Sequence, residues 1–578
     1  MALGLSLSAG CGGAPPESRR AAFPTTTARA APAPPPSAVD VVPRLEISIA
    51  PKLSPRPMVA VRLRAAGSPS DLAEFFLARA PLDSVSAVQA SDMHGPIAVA
   101  QKARGDGVIF TLARQPAPPV ELKFERAAAT QPADRLGVSL DPNRFAASGE
   151  ALFALPLAWT ERPTPIQVDV DATQLGPGTR VASSLGLGRH RALELSIAAL
   201  RRTTFLAGQM GHAVLDGPEG HDEVAWLGYT SFDPRSVAAE VASFRTAARE
   251  YFGERRSAPF TLLLVADGRP AGSFDVLRQT GSAVVNVGLS QAYGGPLRVA
   301  VAHQLLREWM GPVLWVGPEG AERRGESLWF VEGVTRFLAR ELCFRFGLLT
   351  PTEYLAEVDE IERLLLTSPD ARLDNAALAK RAVEPAVAAL LVARGARHAS
   401  GVDARIRHQS AGKRSLDSAI RELYSQAVRS GGPLAESAWV SLLGRELGSP
   451  GAGSFSDEIG AGRLTELPGD ALGPCFGAGP RRFESHELGF AVVGDLAELP
   501  TTVSRVVGAS AAERAGLRVG DRIVKARYLA GSTSVPVLLG VVRAGDEKRI
   551  EYRPVGAVAR GRGFTRLARV PDERCVRR

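Results

Sequence analysis

Cysteine is scarce in this sequence: Cys11, Cys343, Cys475 and Cys575 are all that 578 residues contain. So few exclude the disulfide scaffold of a small secreted domain, and no C-x-x-C pair or Cys/His cluster suggests a structural metal. Long apolar runs are missing as well. No internal stretch approaches the roughly 18 residues a helix needs to cross a bilayer, which argues against a helical span beyond the first residues. Aromatic residues are few, at 6%, and do not interleave with basic ones. The net charge of +8, carried far more by Arg than by Lys, reads as spread along the chain, so nucleic acid is not an expected partner. What is present is an ordinary globular balance, 45% hydrophobic and 22% charged. At about 150 residues per domain the length suggests roughly three or four domains.

Cys11 follows the short apolar stretch MALGLSLSAG and precedes Gly-Gly and a Pro/Ala/Ser/Thr-rich tract. This is the arrangement of a bacterial lipoprotein signal in which the cysteine is lipidated. Ser8 stands where Leu is usual and no basic residue precedes the run; the plainer reading is a shortened secretory signal. The tract APPESRRAAFPTTTARAAPAPPPSA has too few large apolar residues to pack and reads as a tether. Residues 1–43 are thus expected to be signal and tether, with an exported chain anchored through Cys11 to a bacterial membrane, in the periplasm or cell envelope.

From residue 44 to 181, runs such as LEISIA, MVAVRLRA, GVIFTLAR, VELKFERA and IQVDVDA alternate apolar and polar residues between Pro, Gly or Asp. That period predicts a β-sandwich-like domain. From 182 to 447 strands give way to helices: VAAEVASFRTAAREYFG, LRVAVAHQLLREWM, LWFVEGVTRFLARELCFRFG and PTEYLAEVDEIERLLL repeat apolar residues at three and four. Residues 448–482, rich in Gly, Pro and Ser, read as a linker. Residues 483–556 read as strands around a short helix and 557–578 as a tail. Cys475 and Cys575 are expected to form a disulfide if the fold brings them together, with Cys343 reduced and buried in an apolar helix.

The chemistry centres on VAHQLLREWMG, residues 301–311, and LWFVEGVTRF, residues 328–337. His303, Trp309, Trp329, Glu332, Gly333 and Thr335 resemble the glycyl aminopeptidase family of zinc metallopeptidases. GLLTPTEYLAEV and DARIRHQSAGKRSLDSAIRELY follow in the same order as in that family. Such enzymes place two His four apart on one helical turn, a Glu between them to polarise water, and a further Glu from the next helix on the metal. The resemblance implies a multidomain α+β fold: an N-terminal β-sandwich-like domain, a thermolysin-like, mostly helical catalytic domain, and a C-terminal PDZ domain. Here Gln304 replaces the general base and Arg307 the second His, leaving His303 and Glu332 as vestigial or weak zinc ligands. The family's intermediate-stabilising Tyr is missing from LLVARG, residues 390–395. Arg307 shares a helical face with His303, so its guanidinium either fills the metal's space against Glu332 or points to solvent.

The last region resembles a PDZ domain through ELGF and through Ala512, Ala515, Gly516, Leu517, Gly520, Asp521 and Ile523. That resemblance implies that the backbone N–H groups of Leu488, Gly489 and Phe490 take a terminal carboxylate of a peptide or protein while the peptide adds as a strand. Pro536 lies where the groove helix would run, so a purely structural role stands beside the binding one. The expected function is a catalytically inactive peptidase-like protein that binds peptide or protein at the envelope, with no cofactor. The alternatives are an active zinc aminopeptidase with an atypical site, and a structural envelope protein.

Overall fold

Strand Arg44–Lys52 buries Leu45, Ile47 and Ile49 and turns Glu46 and Ser48 outward, as its alternation predicts. It lies inside a seven-stranded sheet with Met58–Ala66, Val120–Ala127 and Thr164–Val170, the last pairing parallel to it. A five-stranded and a four-stranded sheet close this β-rich domain over a core containing Phe75, Phe110, Phe124, Phe145 and Phe205. The domain extends past the expected boundary at 181, because strand Thr204–Gly208 pairs with Arg144–Ser148 and Arg180–Ser183 and buries Phe205 and Ala207 in the same core. The structure is a computed structural model; it describes residues 42–129, 137–159, 163–217, 220–228, 231–254, 259–267, 273–288, 291–317, 325–494, 496, 499–529 and 531–575. Cys11 and the tether before residue 42 lie outside the described residues.

The next sheet orders its strands Met210–Gly217, Gly220–Leu227, Thr261–Asp267, Ser282–Gly288 and Phe274–Gln279, so that Phe274–Gln279 is an edge strand. Helix Pro234–Phe252 packs on it, opened by the Asp233 side chain and closed by Gly253 at φ 76°. Helices then dominate: Gly295–Leu306, Thr335–Arg345, Pro351–Thr367, Pro385–Gln409, Leu416–Ser430 and Glu436–Phe455. Their common core holds Trp309, Trp329 and Trp439. An N-terminal β-rich domain followed by a helical domain is the expected order.

Residues 448–482 are not a free linker. Helix Glu436–Phe455 continues into them through a kink at Gly448, and Glu458, Ile459, Leu467, Ala471, Leu472 and Phe476 are buried. Gly451 is used for packing rather than flexibility, since a Cβ there would lie 2.3 Å from the Leu447 Cβ. Nor are residues 557–578 a tail as far as they are described. Strand Val555–Arg566 pairs antiparallel with Phe476–His486 to make a long ribbon on helix Pro351–Thr367, and Cys575 forms a disulfide with Cys475. Cys343 is free and buried, as expected.

Between the two ribbon strands lies a small domain. Strands Phe490–Val492, Thr501–Val506, Arg522–Arg527, Val537–Arg543 and Asp546–Tyr552 form an antiparallel sheet in sequence order around Val503, Leu517, Ile523, Leu539 and Ile550. Asp521 is buried and held by the Arg518 N–H (2.9 Å) and the Arg543 guanidinium (2.6 Å). Among the described residues the short helix Ala511–Arg514 is this domain's helix, and none stands between Arg527 and Val537. The net charge proves not to be spread evenly: residues 481–578 hold 19 Lys and Arg against 11 Asp and Glu, the whole +8 of the chain.

Candidate functional site

Helix Gly295–Leu306 buries Leu297, Val299, Val301, Ala302, Leu305 and Leu306, the pattern of a helix enclosed on most sides. His303 is therefore buried near its C-terminal end, and Arg307 follows as the closing residue, its N–H donating to the His303 carbonyl at 3.3 Å. Glu332 arrives from a π-helical turn, Trp329–Val334, that leads into helix Thr335–Arg345. That turn is pressed against helix Pro385–Gln409. A Cβ on Gly395 would lie 1.7 Å from the Trp329 carbonyl oxygen, and one on Gly333 would lie 2.7 Å from the Gly395 Cα. Both glycines are needed to seat the turn that carries Glu332. The segment 390–395 thus packs against the turn that carries Glu332.

His303, Arg307 and Glu332 come together. The Arg307 guanidinium donates from Nη1 to Glu332 Oε1, and its Nε donates to the Met310 carbonyl at 3.2 Å. Gly311 lies beside it at φ 107°, a conformation that favours glycine, and a Cβ there would come into contact with Nε and Nη2 of Arg307 at 3.4 Å. Of the two orientations left open by the sequence, the guanidinium takes the one against Glu332. The Nε2 of His303 lies 3.1 Å from the Glu332 backbone oxygen and 3.2 Å from its Oε2. Both neighbours are acceptors, and a neutral imidazole protonated on Nε2 satisfies them in this arrangement.

Burial lowers the His303 pKa to about 3, with the positive charges of Arg336 and Arg307 adding to the effect, so the imidazole is neutral at physiological pH. Burial also lowers Arg307 to about 10, helped by Arg278, and the side chain stays charged. Neither Arg336 nor Arg278 was singled out in the sequence. Arg336 sits one turn after Glu332 and pairs with the buried Glu357, and its spacing from Glu332 was legible. Arg278 comes from the edge strand Phe274–Gln279, and only the tertiary fold brings it here. Gln304 is half-buried on the next position of the helix, and among the described residues it makes no hydrogen bond to the other three.

The resemblance implies zinc, and the donors present do not fit it. A catalytic zinc needs three protein ligands. His303 and Glu332 supply two, and the Arg307 guanidinium rests on Glu332 where the third ligand belongs. Among the described residues no group of three or more His, Cys, Asp or Glu is placed to hold a metal ion.

A second buried polar cluster lies deeper. His398 Nδ1 is 2.5 Å from Glu458 Oε2, and its Nε2 accepts from Trp439 Nε1 at 3.2 Å. Arg405 and Thr465 also donate to Glu458, at 2.9 and 2.5 Å. With both ring nitrogens engaged, His398 holds the helices together and is not available as a base. In the small domain the Leu488 carbonyl accepts from Tyr552 Oη at 2.6 Å, Gly489 takes φ 77°, and Phe490 opens an edge strand.

No sequence-family model matches this chain, and no curated protein matches it. Solved structures do. An aminopeptidase N family protein from Idiomarina loihiensis is 17% identical with a TM-score of 0.65, covering 89% of this chain and 98% of that one. An M1 zinc metallopeptidase from Deinococcus radiodurans is 17% identical with a TM-score of 0.47, covering 74% and 96%. Native yeast LTA4 hydrolase is 12% identical with a TM-score of 0.46, covering 74% and 69%. The likeness to the first is one of fold. Because residues 1–475 amount to less than 89% of the chain, that match reaches into the ribbon and small domain.

Proposed function

We propose that this chain is a peptidase-family protein, nearest in its motifs to the glycyl aminopeptidases, in which an arginine has taken the place of the metal and catalysis has been lost. The observation that carries the reading is the Arg307 guanidinium on the Glu332 carboxylate, in the space between the two helices where a ligand set would converge. The charge that zinc would bring is supplied by a side chain that cannot activate water. Gln304 completes the loss, since an amide can hydrogen-bond a water or a peptide group but cannot take a proton. What remains is a fold built to receive peptides, used for binding peptide or protein without cleavage.

The PDZ resemblance gives the small domain the same end, with Leu488, Gly489 and Phe490 at the start of a half-buried edge strand offering main-chain hydrogen bonds to a C-terminus. Among the described residues no helix stands between Arg527 and Val537 to wall that groove, which favours the structural role. A bacterial envelope location and lipidation of Cys11 rest on the sequence pattern alone.

The test is elemental analysis of the purified protein beside a peptide-hydrolysis assay. The expected result is less than stoichiometric zinc and no cleavage. Arg307→His should raise zinc occupancy without activity, and adding Gln304→Glu should give weak hydrolysis at most. Stoichiometric zinc with chelator-sensitive cleavage in the wild type would establish the active-aminopeptidase reading instead.

A further inference from the structure

Removing residues 481–578 from the count leaves 50 Lys and Arg and 50 Asp and Glu out of totals of 69 and 61, so the rest of the chain is neutral. A compositional preference for Arg would fall on every domain alike. The excess of eight positive charges belongs to the small domain, its ribbon and the residues that follow.

The structure shows where part of it lies. On the ribbon, Arg482 stands directly opposite Arg560, both exposed, and neither has an acidic partner among the described residues. Like charges opposed across a strand pair repel. On the opposite face Arg481 bonds Asp359 of helix Pro351–Thr367 at 2.5 Å; nearer the body the face of Arg482 and Arg560 is itself covered, with Arg562 on Glu466 and Phe564 buried, so its exposed part is the end toward the small domain. On the small sheet, Lys525 and Arg549 flank Gly540, and Arg527 lies beside Leu538. These residues and Lys548 line an open cavity of about 520 Å³. Glu547 and Glu551 answer Lys525 and Arg549, at 3.1 and 2.7 Å, while Arg522, Arg527 and Lys548 have no acidic partner among the described residues. Isolated aliphatic side chains accompany the cations. Val519 is 64% exposed between Arg518 and Arg522 in the chain, and Val558, 42% exposed, is two residues from Arg560 on the same ribbon face.

We propose that this basic domain docks on an anionic phospholipid surface, with the arginines and lysines at the headgroups and the exposed valines at the interface. Clustered cations with exposed aliphatic residues suit a lipid surface. Single-stranded nucleic acid would call for exposed aromatic platforms. Here Phe483, Phe564 and Tyr552 are buried, and Phe490 and Tyr528 pack on the domain core. This contact is separate from any lipid at Cys11 and does not depend on the peptidase-like site.

The experiment uses the full chain carrying Cys11→Ser, so that no lipid can be attached, and measures co-sedimentation with phosphatidylcholine vesicles with and without phosphatidylglycerol. Binding should require phosphatidylglycerol. It should be lost as salt rises from about 50 to about 500 mM, which shortens the screening length from about 14 to about 4 Å. The fourfold variant Arg482→Glu, Lys525→Glu, Arg527→Glu, Arg560→Glu should bind at least tenfold more weakly. Equal binding to neutral vesicles, no binding to either, or tighter retention on duplex DNA at the same salt would overturn the proposal. So would undiminished binding by a variant that unfolds at the wild-type temperature. If the variant does not fold, the wild-type lipid and salt dependence decides.

Discussion

Replacing Arg307 by Met removes the guanidinium while keeping most of the apolar stem, and leaves Glu332 without its cation. Breaking a buried ion pair by deleting one partner costs roughly 3–5 kcal/mol. The Arg307 and Glu332 side chains are 27% and 21% exposed, and water reaching the orphaned carboxylate reduces the penalty to about 2–3 kcal/mol. Glu332→Gln strands the guanidinium in turn, although its Nε still reaches the Met310 carbonyl at 3.2 Å. The double variant should recover about 2 kcal/mol of the summed losses. The assay is urea unfolding followed by tryptophan fluorescence, since Trp309 and Trp329 are buried beside the site. Additivity of the two variants within about 0.5 kcal/mol, the range for non-interacting positions, would refute the reasoning. It would mean that the guanidinium does not rest on Glu332 in solution.

Glu458 provides a pH test. Burial pushes its pKa up, but hydrogen bonds from His398 and Arg405 and the Arg405 charge outweigh that and hold it at about 2. A depressed carboxyl contributes stability above its unfolded value near 4.5, lost as pH falls toward 2. The shift corresponds to about 3 kcal/mol. Thermal unfolding scans between pH 6 and 3 should show wild type losing more stability than Glu458→Gln; parallel curves would exclude the role. The Cys475–Cys575 bridge closes a loop with a sequence separation of 100, worth about 5 kcal/mol by loop entropy. Cys575→Ser should destabilise the ribbon by that order in hydrogen exchange. Thiol counting of Cys11→Ser in denaturant should find one free thiol, Cys343, and three would remove the bridge.

Much of the fold was legible because its signals are local. Leu45, Ile47 and Ile49 alternate with polar residues and form a strand, and VAAEVASFRTAAREYF repeats at three and four and forms a helix. The misreadings have a common cause. Gly451 and Glu458 lie in a segment whose composition reads as loose, but the glycine is there for close packing and the carboxylate for a buried His398, which only the tertiary fold supplies. At the candidate site, the His303–Arg307 spacing placed both residues on one face, and the path of Glu332 into it followed from the family order. The approach of Arg278 from an edge strand depends on long-range placement that no spacing encodes. Charge was misjudged differently. It was read along the whole sequence and not summed domain by domain, although the boundary near residue 483 was already drawn.

The ribbon that carries the small domain leaves the helical body at Phe476 and comes back at Arg566, its strands side by side and the disulfide just outside both. A protease that nicks any single peptide bond between those strands therefore leaves one covalent path intact. Both pieces stay joined through sulfur and run at full mass on a non-reducing gel, and only a thiol releases them. The domain is in effect a closed bight of chain, able to lose its backbone continuity at an exposed loop and remain moored to the body that bears it.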